Sequence, residues 1–205
     1  MKNVSNRLWR WSTVTFAITV SLCSILMQVE ANDNLISEDR PVQQSPTAAG
    51  TPDANPADVA TIDSTVAALY DVISGPAGKK RDWNRFRSLF IPGARLIPTG
   101  KRQAGGFGST VIDPEGYITR SSSFLEEQGF FEKEVARRTE TFGNIAHVFS
   151  TYEARRKADD KEPFMRGINS IQLMNDGKRW WIVTVFWQAE SPDTPLPKKY
   201  LETKN

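Results

Sequence analysis

A chain of 205 residues, 39% hydrophobic and 24% charged, has the size and balance of one soluble globular domain with flanking segments. Its 26 basic and 24 acidic side chains lose Lys2, Arg7, Arg10 and Glu30 if residues 1–31 are a leader, which leaves 23 of each, so the net charge gives no support for nucleic-acid binding and none is expected. The single cysteine, Cys23, lies in that leader, so the remainder can form no disulfide, thiolate nucleophile or cysteine metal site.

Residues 1–31 read as a secretory signal peptide. Lys2, Arg7 and Arg10 precede an apolar run from Trp11 to Met27, and Val29-Glu30-Ala31 places small residues where a signal peptidase cuts. The run is diluted by Ser and Thr and falls short of the roughly 20 apolar residues of a membrane span. Cleavage, a secreted or periplasmic location and no membrane attachment afterwards are therefore expected. Residues 32–55 are rich in Pro, Ala, Thr, Gln, Asp and Asn, too poor in apolar surface to offset the entropy of ordering, and are expected to be a disordered linker.

The domain is expected over 56–191. Asn55-Pro56 with Asp58 is a helix start, and Ile62, Val66, Leu69, Tyr70 and Ile73 form one apolar stripe ending at Ser74-Gly75-Pro76. Lys79 to Arg81 reads as a solvated basic turn. A second short helix is capped by Asp82, with Trp83, Phe86 and Phe90 inward and Pro92-Gly93 as its stop. Short strands follow at 94–98 and 110–112. Gly105, Gly106 and Gly108 lack the strand, helix and Lys-Ser/Thr ending of a phosphate cradle. Asp113-Pro114-Glu115 opens a third helix with Tyr117, Ser121, Phe124, Leu125 and Gln128 inward.

Two strands joined at Phe142-Gly143-Asn144 are expected over 130–141 and 144–157. Glu132 and Glu134, alternating with Lys133 and followed by Arg137-Arg138, read as opposed charges on an exposed stretch in preference to a carboxylate pair. The last hairpin, Phe164 to Glu190, turns at Asp176-Gly177, a pair suited to a two-residue turn of positive φ. Strict alternation then puts Asn169, Ile171, Leu173, Trp180, Ile182, Thr184, Phe186 and Gln188 on one face. The other face carries Ile168, Ser170, Gln172, Trp181, Val183, Val185 and Trp187. Both faces are apolar enough to need cover, by helices on one side and a second layer or another subunit on the other. Pro192, Pro195 and Pro197 mark 192–205 as a tail without an element of its own.

Three helices, a short strand and three or four long strands make an α+β domain: a strongly bent antiparallel sheet wrapped around three N-terminal helices. From Val59 to Glu190 the chain resembles the nuclear transport factor 2-like superfamily in its SnoaL-like branch. The residues carrying the resemblance are the run from Phe142 to Glu153, Arg166-Gly167-Ile168-Asn169-Ser170, and the run from Asp176 to Val183. The resemblance implies a cone-shaped cup with a pocket between helices and sheet, and frequent dimerisation through the outer sheet face. It implies that activity, where present, is proton transfer by a buried Asp or His.

The pocket lining expected here is Tyr70, Tyr117, Phe124, Asn169, Trp180, Thr184, Phe186 and Gln188. Neither long strand of the last hairpin carries an Asp inside it, and Asn169, Thr184 and Gln188 can orient a ligand but not take its proton. His147 is the candidate base. Its side depends on a register the loop 158–163 leaves open: either His147 joins Asn169 inside, or Ser150 and Tyr152 take that place. No cofactor and no metal is expected. The first reading is a secreted SnoaL-like domain binding a small, largely apolar molecule. The alternatives are an isomerase, dehydratase or cyclase with His147 as base and Tyr70 or Tyr117 as oxyanion donor, and a non-catalytic module dimerising through Trp181, Val183, Val185 and Trp187.

Overall fold

Asn55 caps the first turn, its side-chain oxygen accepting from the Ala57 N–H at 3.1 Å, and Pro56 opens α1 (Pro56–Val59). The helix expected to run unbroken from there is interrupted. Thr61 is extended and shares a capping box with Ser64, both bonds 3.0 Å, which starts α2 (Ile62–Ile73) afresh. This computed structural model describes residues 50–102 and 104–202; the expected leader and nearly all of the linker lie outside the described residues.

Asp82 caps α3 (Trp83–Ser88), accepting from the Arg85 N–H at 2.9 Å. Phe90 does not continue the helix but begins β1 (Phe90–Lys101). Pro92 and Gly93 are absorbed there as an irregularity, Gly93 at a φ of 81°. The next strand, β2, is Phe107–Ser109 rather than 110–112, where Ile112 makes only an isolated bridge to Leu96. Asp113 then caps α4 (Pro114–Gln128) as its sequence predicts. Four strands follow: β3 (Phe131–Phe142), β4 (Ile145–Arg155), β5 (Met165–Asn175) and β6 (Trp180–Ala189).

The sheet has six strands in the order β2-β1-β6-β5-β4-β3. It is mixed rather than wholly antiparallel, because β1 runs parallel to β6, from Phe90 opposite Ile182 to Thr99 opposite Gln188. A parallel pair needs a long crossover, and everything from β2 to β5 supplies it. The core forms where α2, α3 and α4 meet one face of this sheet: Val66, Leu69, Phe86, Leu89 and Leu125 pack with Val148, Ile171, Leu173 and Ile182.

Two bulges decide which side chains face the helices. On β6, Leu173 pairs with Ile182 but Gln172 pairs with Thr184, so Val183 is an extra residue. The turn is also longer than expected, with Asn175 opposite Trp180. Trp180 and Ile182 stay on the inner face, and beyond Val183 the parity reverses. Val185 and Trp187 therefore point inward, while Thr184, Phe186 and Gln188 point outward, against the strict alternation. On β3, Val135 is the extra residue, so Glu134 pairs with Tyr152 and Ala136 with Thr151. That brings Glu134 and Arg137 onto one side, where they form an ion pair at 2.7 Å.

Arg81 is no solvated turn. It is only 6% exposed, and its guanidinium donates to the carbonyls of Ile73 at 2.9 Å, Gly75 at 2.7 Å and Leu125 at 2.8 Å. One cation thus ties together the C-terminal ends of α2 and α4, whose last carbonyls lack partners within their own helices. The tail also has an element, a 3-10 turn at Lys198–Tyr200. Its Tyr200 carbonyl accepts from Thr151 Oγ1 at 2.5 Å, and its ring meets Phe149 at 5.0 Å, so the tail covers part of the outer face.

Candidate functional site

Between α2, α4 and the inner sheet face lies a cavity of about 200 Å³. Its walls are apolar: Leu69, Ile73, Phe86, Leu96, Phe124, Leu125, Phe130, Met165, Val185 and Trp187. Five polar side chains reach it, Tyr70, Tyr117, Ser121, Tyr152 and Asn169, and one acid, Glu132. A mostly apolar cavity with few convergent polar groups is the common form of a small-molecule site.

Glu132 enters this cavity from the start of β3, whose register places it on the inner side opposite Ala154. Burial pushes its carboxyl up to about 7, against one opposing influence, a hydrogen bond from Asn169. Asn169 Nδ2 donates to Glu132 Oε1 at 3.1 Å and to the Tyr70 hydroxyl at 3.0 Å. Tyr70 in turn lies 2.7 Å from Ser150 Oγ, and Ser150 donates to Glu134.

The directions of these bonds follow from one end. Glu134 is paired with Arg137 and can only accept, so Ser150 donates to it. Ser150 Oγ then accepts from Tyr70, and Tyr70 accepts from Asn169. The amide nitrogen of Asn169, rather than its oxygen, is thereby turned toward Glu132. Tyr70 is engaged on both sides and has no hydroxyl hydrogen left for a ligand, which corrects its expected role as oxyanion donor.

Tyr117 lines the cavity, stacked on Phe86 at 5.2 Å and edge-on to Trp187 at 6.4 Å, with Ser121 on the same face of α4. Tyr152 differs. Its side chain is buried in the cavity wall, and among the described residues its hydroxyl has no hydrogen-bond partner. Burial, with the Glu132 charge beside it, raises the phenol well above its ordinary range, so it stays protonated and able to donate.

The structure thus places Tyr70, Tyr117, Phe124 and Asn169 around the cavity. Trp180 packs against the edge of the core without lining it. Thr184, Phe186 and Gln188 are turned away by the Val183 bulge, and Phe186 and Gln188 border a groove under the tail instead. His147 is also outside. It pairs with Gln172, and its Nε2 lies 3.0 Å from Ser170 Oγ on the outer face, so it cannot be the base of this cavity. Of the two registers open in the sequence, the structure has the one that puts Ser150 and Tyr152 inside. The four residues expected to form a dimer face do not share one: Val185 and Trp187 point inward, while Trp181 lies under the Arg179 guanidinium at 3.6 Å and donates to Asp176.

The acid that sequence reasoning passed over is Glu132. A single signal could have found it: Phe130 and Glu132 stand either side of Phe131 at the point where α4 hands over to the sheet, so β3 begins inside the cup.

No family model matches the chain, and no curated protein does. Solved structures do. An NTF-2 like protein of unknown function from Silicibacter pomeroyi is 14% identical over 64% of this chain and 94% of its own, with a TM-score of 0.45. A protein of unknown function with a cystatin-like fold from Nostoc punctiforme is 12% identical over 66% and 92%, with a TM-score of 0.48. A candidate ketosteroid isomerase from Parabacteroides distasonis is 12% identical over 64% and 90%, with a TM-score of 0.43. The chain is an α+β domain of helices packed on a bent mixed sheet, and the solved structures to which it is similar carry NTF2-like and cystatin-like folds.

Proposed function

We propose that the domain binds a small, largely apolar carbonyl compound in this cavity and moves a proton on it, with Glu132 as the base. One observation carries the reading: a carboxyl titrating at about 7 inside an apolar cavity, hydrogen-bonded by an amide that its neighbours orient. A base works best when its pKa lies near the working pH.

In the proposed step, ionised Glu132 takes a hydrogen from the carbon next to the carbonyl. The C–H bond breaks, an O–H bond forms on Glu132, and the electron pair moves onto the carbonyl oxygen. Tyr152, whose hydroxyl has no hydrogen-bond partner among the described residues, donates a hydrogen bond to that oxygen. Glu132 then returns the proton to the same or a neighbouring carbon, so no oxidant or cofactor is consumed. The reading includes export by residues 1–31, with the exported protein starting at Asn32.

The test is solvent deuterium uptake at the α-carbon of 2-cyclohexenone and phenylacetone, followed by NMR. Wild type is expected to exchange deuterium faster than buffer, and Glu132→Gln to lose that acceleration. Binding without any acceleration would leave a non-catalytic binding domain.

A further inference from the structure

The cavity wall continues into a second, cationic feature at its rim. Phe124 lines the cavity yet is 44% exposed, so it stands where the cavity meets solvent. Phe164, 43% exposed, touches the lining residue Phe130 with ring centroids 6.1 Å apart. Between Phe124 and Phe164 sits the guanidinium of Arg156, the first residue after β4, 4.9 Å from one ring centroid and 4.0 Å from the other.

Many of the other arginines here answer to an acid or a carbonyl: Arg85 to Asp58, Arg87 to Glu115, Arg166 to Glu190 and Arg81 to backbone carbonyls. Arg156 answers to neither. Its Nη1 is buried without an acceptor, and among the described residues its Nε and Nη2 have none either. Asp160, an acid on the loop that follows, is turned to the backbone N–H groups of Arg156 and Lys157, at 3.2 and 2.9 Å. Two aromatic faces hold the planar cation in place and shield it from water, which strengthens any charge-assisted bond it then makes.

We propose that Arg156 recognises an acidic head group, so that the ligand of this cavity is a small carboxylic acid whose apolar body lies inside and whose carboxylate stays at the Phe124–Phe164 rim. The proposal rests on the cavity being a ligand site and narrows its chemistry. It also keeps the ligand's charge at the rim, away from Glu132, which an anion within the cavity would repel.

The test compares 4-phenylbutyrate with 4-phenyl-1-butanol, alike in body and different in charge, by calorimetric titration of the purified protein. Wild type is expected to bind the acid about tenfold or more tightly than the alcohol, as a hydrogen bond to a charged group implies. Arg156→Gln should bind the two alike with the alcohol's affinity unchanged, and Lys157→Gln, on the exposed neighbour, should keep the preference. An acid that binds no tighter than the alcohol to wild type overturns the role of Arg156 and leaves the cavity a ligand site. So does a preference that survives Arg156→Gln or falls equally in Lys157→Gln. If neither probe binds wild type, the cavity reading falls and this inference falls with it.

Discussion

The Tyr152 ring lies directly over Gly167, its partner across β4 and β5: a Cβ placed on Gly167 would come within 2.6 Å of the Tyr152 hydroxyl oxygen. The glycine is there for closeness, and it sets where the Tyr152 hydroxyl stands. The same Cβ would press still closer on the backbone carbonyl oxygen of Gln188, so Gly167→Ala is expected to disturb the β5–β6 pairing as well as Tyr152 and to cost about 1–3 kcal/mol, the usual range for overpacking a buried site. Chemical denaturation would measure the loss. Tyr152→Phe should leave stability nearly unchanged while slowing deuterium exchange.

Glu132 makes stability depend on pH in a definite direction. Its folded pKa of about 7 lies above its ordinary 4.5, so the folded state holds the proton more tightly than the unfolded one. The stability this contributes is complete below about 4.5 and is lost as pH rises through 7. Glu132→Gln removes the charge and keeps an oxygen for Asn169. At pH 8 it should be more stable than wild type, by up to about 3 kcal/mol at 1.36 kcal/mol per pKa unit, and nearly equal to it at pH 4. Thermal melts at the two pH values test both halves.

Deuterium exchange should show the same group with the opposite slope. The base must be ionised, so the rate should rise through pH 7 and level off above it. Asn169→Leu removes the hydrogen bond that holds the carboxyl down, and the midpoint should move to higher pH. An unmoved midpoint would show that Asn169 does not tune Glu132.

Arg81 predicts a large effect far from any chemistry. Arg81→Met keeps the length of the side chain but takes the donor away from the carbonyls of Ile73 and Leu125, while Gly75 keeps only the Phe130 N–H. A loss of about 3–5 kcal/mol is expected, as for breaking other buried charged networks. A surface arginine such as Arg95 changed in the same way should cost under about 0.5 kcal/mol.

Where the sequence was readable, local chemistry decided the structure. Asp82 and Asp113 cap their helices, Asn55-Pro56 starts the first, and Gly143 turns between β3 and β4 at a φ of 54°. Tyr117, Ser121, Phe124 and Leu125 share the helix face that meets the cavity. What could not be read depends on residues that alternation does not count. One extra residue at Val183 moved Thr184, Phe186 and Gln188 to the outer face and brought in Trp187. A bulge in an otherwise regular Trp-Ile-Val-Thr-Val run leaves no mark in composition. Glu132 was hidden for another reason, since alternating charges look solvated until the helix that covers their strand is known. Arg81 was hidden likewise, because one of the carbonyls it serves, that of Leu125, lies 44 residues further along the chain.

The parallel pairing of β1 with β6 also bears on the order in which the chain can assemble. The partners lie about ninety residues apart, and β6 is the last strand to leave the ribosome. Contacts so distant must await loop closure, which slows folding. Until β6 arrives, the inner faces of β1 and β5 each lack a neighbour, and Val185 and Trp187 are not yet in place to wall the cavity. A chain whose closing strand comes last stays unfinished until synthesis is nearly over. The same strand that completes the cavity therefore also sets when the domain can finish folding.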